Sequence, residues 1–319
     1  MNTAERDTQT EQLVTPRHNQ PPLLERIGQT PLLPMGPIPG TRSDLKLWAK
    51  WEGANPSGSL KDRIVARIVC SALDDGTLRT GMTVVEASSG NTGISMGLVG
   101  ALLNVPMRVY MPETKSLERR RLMRFWNVDL HLTAGDDPNS HIRAAEALVA
   151  DRPDEFFYLN QNGNPLNVTA HALGTAAEIW EQTEGKVDTV IAALGTSGTL
   201  MGLASWLKDK NSAIEIISVQ PAQAQNKIEG LLFVSDDYTP PIYDQRLVDQ
   251  TLYISDDDAI TQTRQLALRE GMFCGISSGA CMAAVMQLDS ALDGKTVVVV
   301  FGDRGDRYMS TDLFAGIKA

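Results

Sequence analysis

The 319-residue chain carries a net charge of −10 with 42% hydrophobic and 21% charged residues, a balance that suits one large or two moderate α/β domains. The acidic surplus argues against a general nucleic-acid or membrane surface, both of which want basic patches. No apolar run is long enough to span a bilayer and no signal-peptide core opens the chain, so a cytoplasmic protein is expected. Cys70, Cys274 and Cys281 lie in apolar contexts and read as core thiols of a reducing compartment, and neither they nor His18, His131, His141 and His171 have metal-ligand spacing, so no metal is expected.

Residues 1–21 are polar and aperiodic, the composition of a mobile tail. Ile27-Gly28-Gln29-Thr30-Pro31-Leu32 reads as a turn entering a short strand, and 45–52 alternates as a half-buried strand does. In Asn55-Pro56-Ser57-Gly58-Ser59-Leu60-Lys61-Asp62-Arg63, Pro56 and Gly58 mark a turn and Ser59 is a candidate N-cap. Ile64, Val65, Ile68 and Val69 then continue with helical spacing. Lys61 thus falls in the first turn of a helix, where the macrodipole disfavours its charged form. A lysine tuned that way is a nucleophile for a carbonyl; the other reading is a surface lysine near a helix start.

Strands and helices then cycle: 83–87 with 94–103, 107–111 with 117–126, 128–132 with 141–150, and 156–159 with 166–180. That order specifies right-handed β-α-β units and a mostly parallel, helix-covered sheet. Ser88-Ser89-Gly90-Asn91-Thr92-Gly93 is a strand-to-helix turn that aims backbone N–H groups at an anion. Glu118-Arg119-Arg120-Arg121 reads as a solvated helix face without a catalytic role. Asn160-Gln161-Asn162-Gly163-Asn164-Pro165 follows a strand, where open α/β sheets bind ligands, and its amides can bond a carboxylate without adding charge. A plain Asn/Gly turn is the alternative there.

The apolar strand 189–194 ends in Gly195-Thr196-Ser197-Gly198-Thr199 before a helix at 200–207. Glycines allow close approach, hydroxyls and N–H groups donate, and the helix start adds partial positive charge, which together cradle a phosphate without a lysine. Residues 221–247 break the periodicity. A helix over 256–268 precedes Gly275-Ile276-Ser277-Ser278-Gly279, a turn into 280–288 in which Ser277 can serve as N-cap. The strand 296–301 ends in Gly302-Asp303-Arg304-Gly305-Asp306-Arg307-Tyr308-Met309-Ser310-Thr311, whose charges read as a structural ion-pair turn.

Over roughly residues 23–317 these motifs, in order and spacing, resemble the pyridoxal-phosphate enzymes of the cysteine synthase and tryptophan synthase β-subunit type, fold type II. The resemblance implies two open, twisted, mostly parallel sheets covered by helices, with pyridoxal 5′-phosphate in the cleft between domains. It places 22–47 plus 159–319 in a larger domain and 48–158 in a smaller, mobile one. It makes Lys61 the Schiff-base lysine that also removes the α-proton, and gives Asn91 to the ring O3′. Gly195, Thr196, Ser197, Gly198 and Thr199 would hold the phosphate, and Ser88, Ser89, Gly90, Thr92 and Gln161 the substrate carboxylate. Ser277 would sit near the pyridine nitrogen, where a neutral hydroxyl leaves a shallower electron sink suited to β-elimination.

The D-R-G-D-R-Y-x-S-T ending resembles B-type cysteine synthases. The implied activity is synthesis of L-cysteine from O-acetyl-L-serine and sulfide or thiosulfate through an aminoacrylate, in a homodimer. One departure leaves the sulfur donor open: Leu231 and Leu232 stand where those B-type enzymes carry arginines. Related β-replacing or eliminating enzymes acting on O-phosphoserine, with an amine or cyanide, or dehydrating serine and threonine, remain as alternatives. So does a non-catalytic binding protein, against which the intact Lys61 stands.

Overall fold

In the computed structural model, residues 21–36, 45–135, 137, 139–235 and 238–317 are described; the tail expected over 1–21 lies, but for its last residue, outside them. Six strands form one sheet in the order β1-β2-β10-β7-β8-β9, comprising β1 (Leu32–Pro34), β2 (Lys46–Trp51), β7 (Thr189–Ala193), β8 (Glu215–Pro221), β9 (Gln250–Ile254) and β10 (Thr296–Phe301). Only β1 runs antiparallel, against β2. The other sheet is parallel throughout, in the order β5-β4-β3-β6, with β3 (Thr83–Ala87), β4 (Met107–Pro112), β5 (Asp129–Thr133) and β6 (Phe156–Tyr158).

Strand β10, Thr-Val-Val-Val-Val-Phe, shows why such strands go to the middle of a sheet: every residue after Thr296 is buried. Val297, Val299 and Phe301 join a core with helix α9 (Ile276–Leu288), while Val298 and Val300 face a second core with helix α7 (Gly198–Lys210). That is the two-residue period of a strand covered on both faces. The four-stranded sheet packs Val84 and Val109 on α1 (Lys61–Asp74) and α2 (Asn91–Leu103), and Val85 and Ala87 on α4 (Ser140–Asp151). Between them in the chain, α3 (Leu117–Phe125) contributes Met123 to the α1–α2 core.

Three expectations shift. The domain boundary at 48 falls inside β2, whose whole length pairs with β10 from Lys46 to Trp51, so the crossing to the smaller sheet comes after Trp51. Leu24, ahead of β1, packs in the core of the four-stranded sheet instead of the larger one. The helix expected over 166–180 divides into α5 (Pro165–Ala170), a π-helical stretch His171–Ala176, and α6 (Ala177–Gln182). Helix α8 (Asp256–Glu270) stops at Gly271, whose φ of 67° is the left-handed cap that glycine adopts without strain. Among the described residues no helix is long and apolar enough to cross a membrane.

Candidate active site

The loops that leave the C-terminal ends of β2, β3, β7 and β10 converge on one cleft, the place where open α/β sheets collect ligands. It holds about 600 Å³ of empty space, mouth included, and its lining includes Lys61, Asn91, Gly195, Thr196, Ser197, Thr199, Ser277 and Asp303.

Lys61 opens α1, and its chain neighbours are fixed from behind. Asp62 accepts hydrogen bonds from Ser57 N at 2.7 Å and Ser95 Oγ at 2.6 Å, and a further one from Ser57 Oγ. Arg63 reaches Glu52 at 2.7 Å and Glu178 at 2.7 Å, and Lys50 joins Glu178 at 2.6 Å. Leu60 N donates to Gly302 O at 2.9 Å. With the residues on either side anchored, the Lys61 side chain is delivered to the cleft.

Burial lowers the Lys61 pKa to about 8, partly opposed by the Asp303 carboxylate. The dominant cause is therefore desolvation, and not the helix start that the sequence reading emphasised. Nor does Ser59 cap the helix in the expected way: the N-cap position is Leu60, and Ser59 Oγ accepts from Lys61 N at a long 3.3 Å.

Opposite the lysine, Ser197 occupies the N-cap of α7 at φ 68°, with its Oγ buried and without a hydrogen-bond partner. Two glycines keep the loop close to its surroundings. A Cβ at Gly195 would come within 2.5 Å of Gly230 O, and one at Gly198 within 1.9 Å of Asn167 Oδ1. Asn167 Nδ2 donates to Thr196 Oγ1 at 2.9 Å and to Gln161 O at 2.8 Å, and Thr199 Oγ1 lies 3.2 Å from His171 Nε2. Ser277 sits in the first turn of α9; the N-cap is Gly275, without a side-chain bond, so the N-cap reading of Ser277 is corrected.

This donor set fits pyridoxal phosphate. A helix start with an orphaned buried hydroxyl matches a phosphate, an amine biased towards its neutral form matches an aldehyde, and Ser277 adds a neutral hydroxyl.

The residues expected to hold a substrate carboxylate lie beside the cleft and bond one another. Thr92 Oγ1 donates to Gln161 Oε1 at 2.5 Å, and Gln161 Nε2 donates to Ala87 O at 3.1 Å. Ser88 Oγ accepts from Gly90 N at 3.1 Å and Gly93 N at 3.3 Å, while Ser89 O accepts from Arg119 at 3.3 Å. Behind them Glu86 accepts from Gln161 N at 2.9 Å and Ala87 N at 2.8 Å, and burial raises its carboxyl pKa to about 8.

Arg119 corrects the reading of 118–121 as a solvated face. It is 2% exposed, its guanidinium lies 4.8 Å from the Tyr308 ring centroid, and it pairs with Glu229. The signal was one helical turn away, since Met123 four residues on is fully buried.

The Gly302–Thr311 turn is likewise more than paired charges. Asp303 Oδ2 accepts from Asn91 Nδ2 at 2.7 Å and from Tyr308 OH at 2.7 Å, while Arg307 donates to Asn91 Oδ1 at 2.9 Å and Ser57 O at 2.6 Å. Asn91 is thereby held by both of its amide atoms.

A family model described as pyridoxal-phosphate dependent enzyme matches residues 23–303. The chain is 38% identical over 306 residues to the cysteine synthase of Aquifex aeolicus, covering 92% of each chain. It is 36% identical over 292 residues to cysteine synthase B of Salmonella typhimurium, covering 92% of this chain and 95% of that one. A crystal structure of cysteine synthase from Entamoeba histolytica is similar with a TM-score of 0.87 and 36% identity, over 96% of this chain and 93% of the other.

Proposed function

The chain belongs to the pyridoxal-phosphate dependent enzymes, among the cysteine synthases, and from that membership we propose that it makes L-cysteine by β-replacement from O-acetyl-L-serine and a sulfur nucleophile. The observation that carries the reading is the convergence of Lys61, the Ser197 helix start and Ser277 on one cleft. Bound there, pyridoxal phosphate supplies an electron sink that acidifies the α-carbon of an amino acid and lets a β-substituent leave.

The chain's own residues do the rest. Gly195, Thr196, Ser197, Gly198 and Thr199 bind the phosphate through N–H groups, hydroxyls and the start of α7. Asn91 orients the ring, itself fixed by Asp303 and Arg307. Ser277 offers the pyridine nitrogen a neutral partner. Lys61 would hold the cofactor through its Nζ and would take up and return the α-proton of the substrate at that same atom. Its lowered pKa keeps a useful neutral fraction near neutral pH.

Ser88, Ser89, Gly90, Thr92 and Gln161 take the substrate carboxylate. The Thr92–Gln161 bond is exchanged for bonds to that carboxylate, which draws the four-stranded unit, about residues 52–158, over the cleft and excludes water. A homodimer is part of this reading by kinship. The test is cysteine formation by the purified protein from O-acetyl-L-serine and sulfide. Turnover supports the reading; inactivity with that pair, alongside activity on serine, O-phosphoserine or with an amine, sinks it.

A further inference from the structure

Residues 229–231 border the cleft in a segment held by its own backbone bonds and by a bond to Leu194. Ile228 is fully buried, Leu231 N donates to Ile228 O at 3.1 Å, and Leu232 N donates to Leu194 O at 2.8 Å. Gly230 O lies against Gly195, and Gly230 itself has φ 97°, which a side chain would strain. This backbone presents Glu229, Gly230 and Leu231 to the cleft.

The charges there are lopsided. Lining residues include one cation, Lys61, and two carboxylates, Glu229 and Asp303. Lys61 is committed to the cofactor, and the cofactor's phosphate adds negative charge. Two buried cations touch the substrate loop: Arg307 donates to Asn91 Oδ1, and Arg119 donates to Ser89 O and is packed so that a Cβ at Gly90 would come within 2.8 Å of it. The Arg119 charge is answered by Glu229, with Asp303 and Tyr308 also close to it.

Resting on the β-replacement reading above, we propose that Glu229 is a specificity-determining residue. By neutralising Arg119 it denies a doubly charged nucleophile its counter-cation and restricts the second substrate to small neutral or singly charged donors. With hydrosulfide, the C–O bond to acetate breaks, acetate leaves with the electron pair, and the sulfur forms the new C–S bond. With thiosulfate the same exchange gives the S-sulfonate and acetate, but a dianion must first approach two carboxylates and a phosphate.

The test compares holoenzyme kcat/KM for sulfide and for thiosulfate in the parent chain, Glu229→Gln, and Glu229→Gln combined with Arg119→Gln. Removing one carboxylate charge from the cleft lining, beside Arg119, is expected to raise the thiosulfate-to-sulfide ratio by at least about tenfold in the single variant. The double variant, again without a free cation, returns the ratio towards the parent value. Calorimetric titration with sulfate, an unreactive dianion, gives a readout apart from turnover: Glu229→Gln binds it and the other two proteins do not.

A parent enzyme that uses both donors equally well, an unmoved ratio in Glu229→Gln, or equal sulfate binding by all three overturns the proposal. Adding O-acetyl-L-serine alone separates this from failure of the underlying reading. A visible-band change with an unmoved ratio sinks only the role of Glu229; no band change in the parent chain sinks the β-replacement reading itself.

Discussion

On the proposed cofactor side of the cleft the groups are braced from behind or stand free, whereas on the proposed substrate side they hold one another. Lys61 is delivered by anchors on Asp62 and Arg63, and Ser197 Oγ stands buried at a helix start without a partner. Thr92, Ser88 and Gln161 instead spend their bonds locally. A buried donor already aimed at its ligand binds without rearrangement, while a donor satisfied by a neighbour must exchange one bond for another. On the proposed reading the first side suits a resident cofactor, and the second a substrate that comes and goes.

The comparison breaks most severely at Lys61. On the proposed mechanism Lys61→Ala removes both the covalent hold on the cofactor and the proton carrier, so turnover should fall by about a thousandfold or more. Steady-state assay and mass spectrometry after borohydride reduction check it; near-normal rates would remove the lysine from the mechanism. A milder change separates the two sides. Gln161→Ala should raise the KM for the amino-acid substrate by about tenfold to a hundredfold, the effect of one or two lost hydrogen bonds, and leave the cofactor's absorbance as it was. Equal loss of cofactor affinity would show that the sides are not independent.

Much of this architecture was legible because its strands carry apolar runs between turn signals: β10 is apolar throughout after Thr296, β3 holds Val84 and Val85 ahead of the Ser88–Gly93 turn, and both fall within the expected residues. Strands β8 and β9 went unread. Glu215–Pro221 follows a polar turn and ends in proline, and Gln250–Ile254 is an edge strand with only Ile254 buried, so neither shows a clean period. The site motifs were legible in place but not in partnership. Asn91 and Asp303 are 212 positions apart, and nothing local in either motif announces their bond. Arg119 was hidden by its neighbours, since half-buried Arg120 and exposed Arg121 gave the run a solvated look.

A further effect, on stability and not on turnover, sharpens the contrast through pH. Glu86 braces Gln161 N, and burial raises its folded pKa from 4.5 to about 8. Between those values the folded chain binds more protons than the unfolded one, so this group's contribution to stability is present at low pH and declines as pH rises towards 8. Glu86→Gln, which cannot ionise, should flatten that decline in urea midpoints measured from pH 5 to pH 8. An identical slope in both proteins would mean that Glu86 does not titrate in this window.

The central claim is that Lys61 and the Ser197 helix start together hold pyridoxal phosphate where an activated serine can reach it. The most direct measurement is the near-visible absorbance of the purified protein before and after O-acetyl-L-serine, and again after sulfide. The account predicts a yellow protein whose band changes on adding the amino acid and returns when sulfide completes the reaction. A colourless protein that does not take up the cofactor, or a yellow one whose band ignores O-acetyl-L-serine, would contradict it.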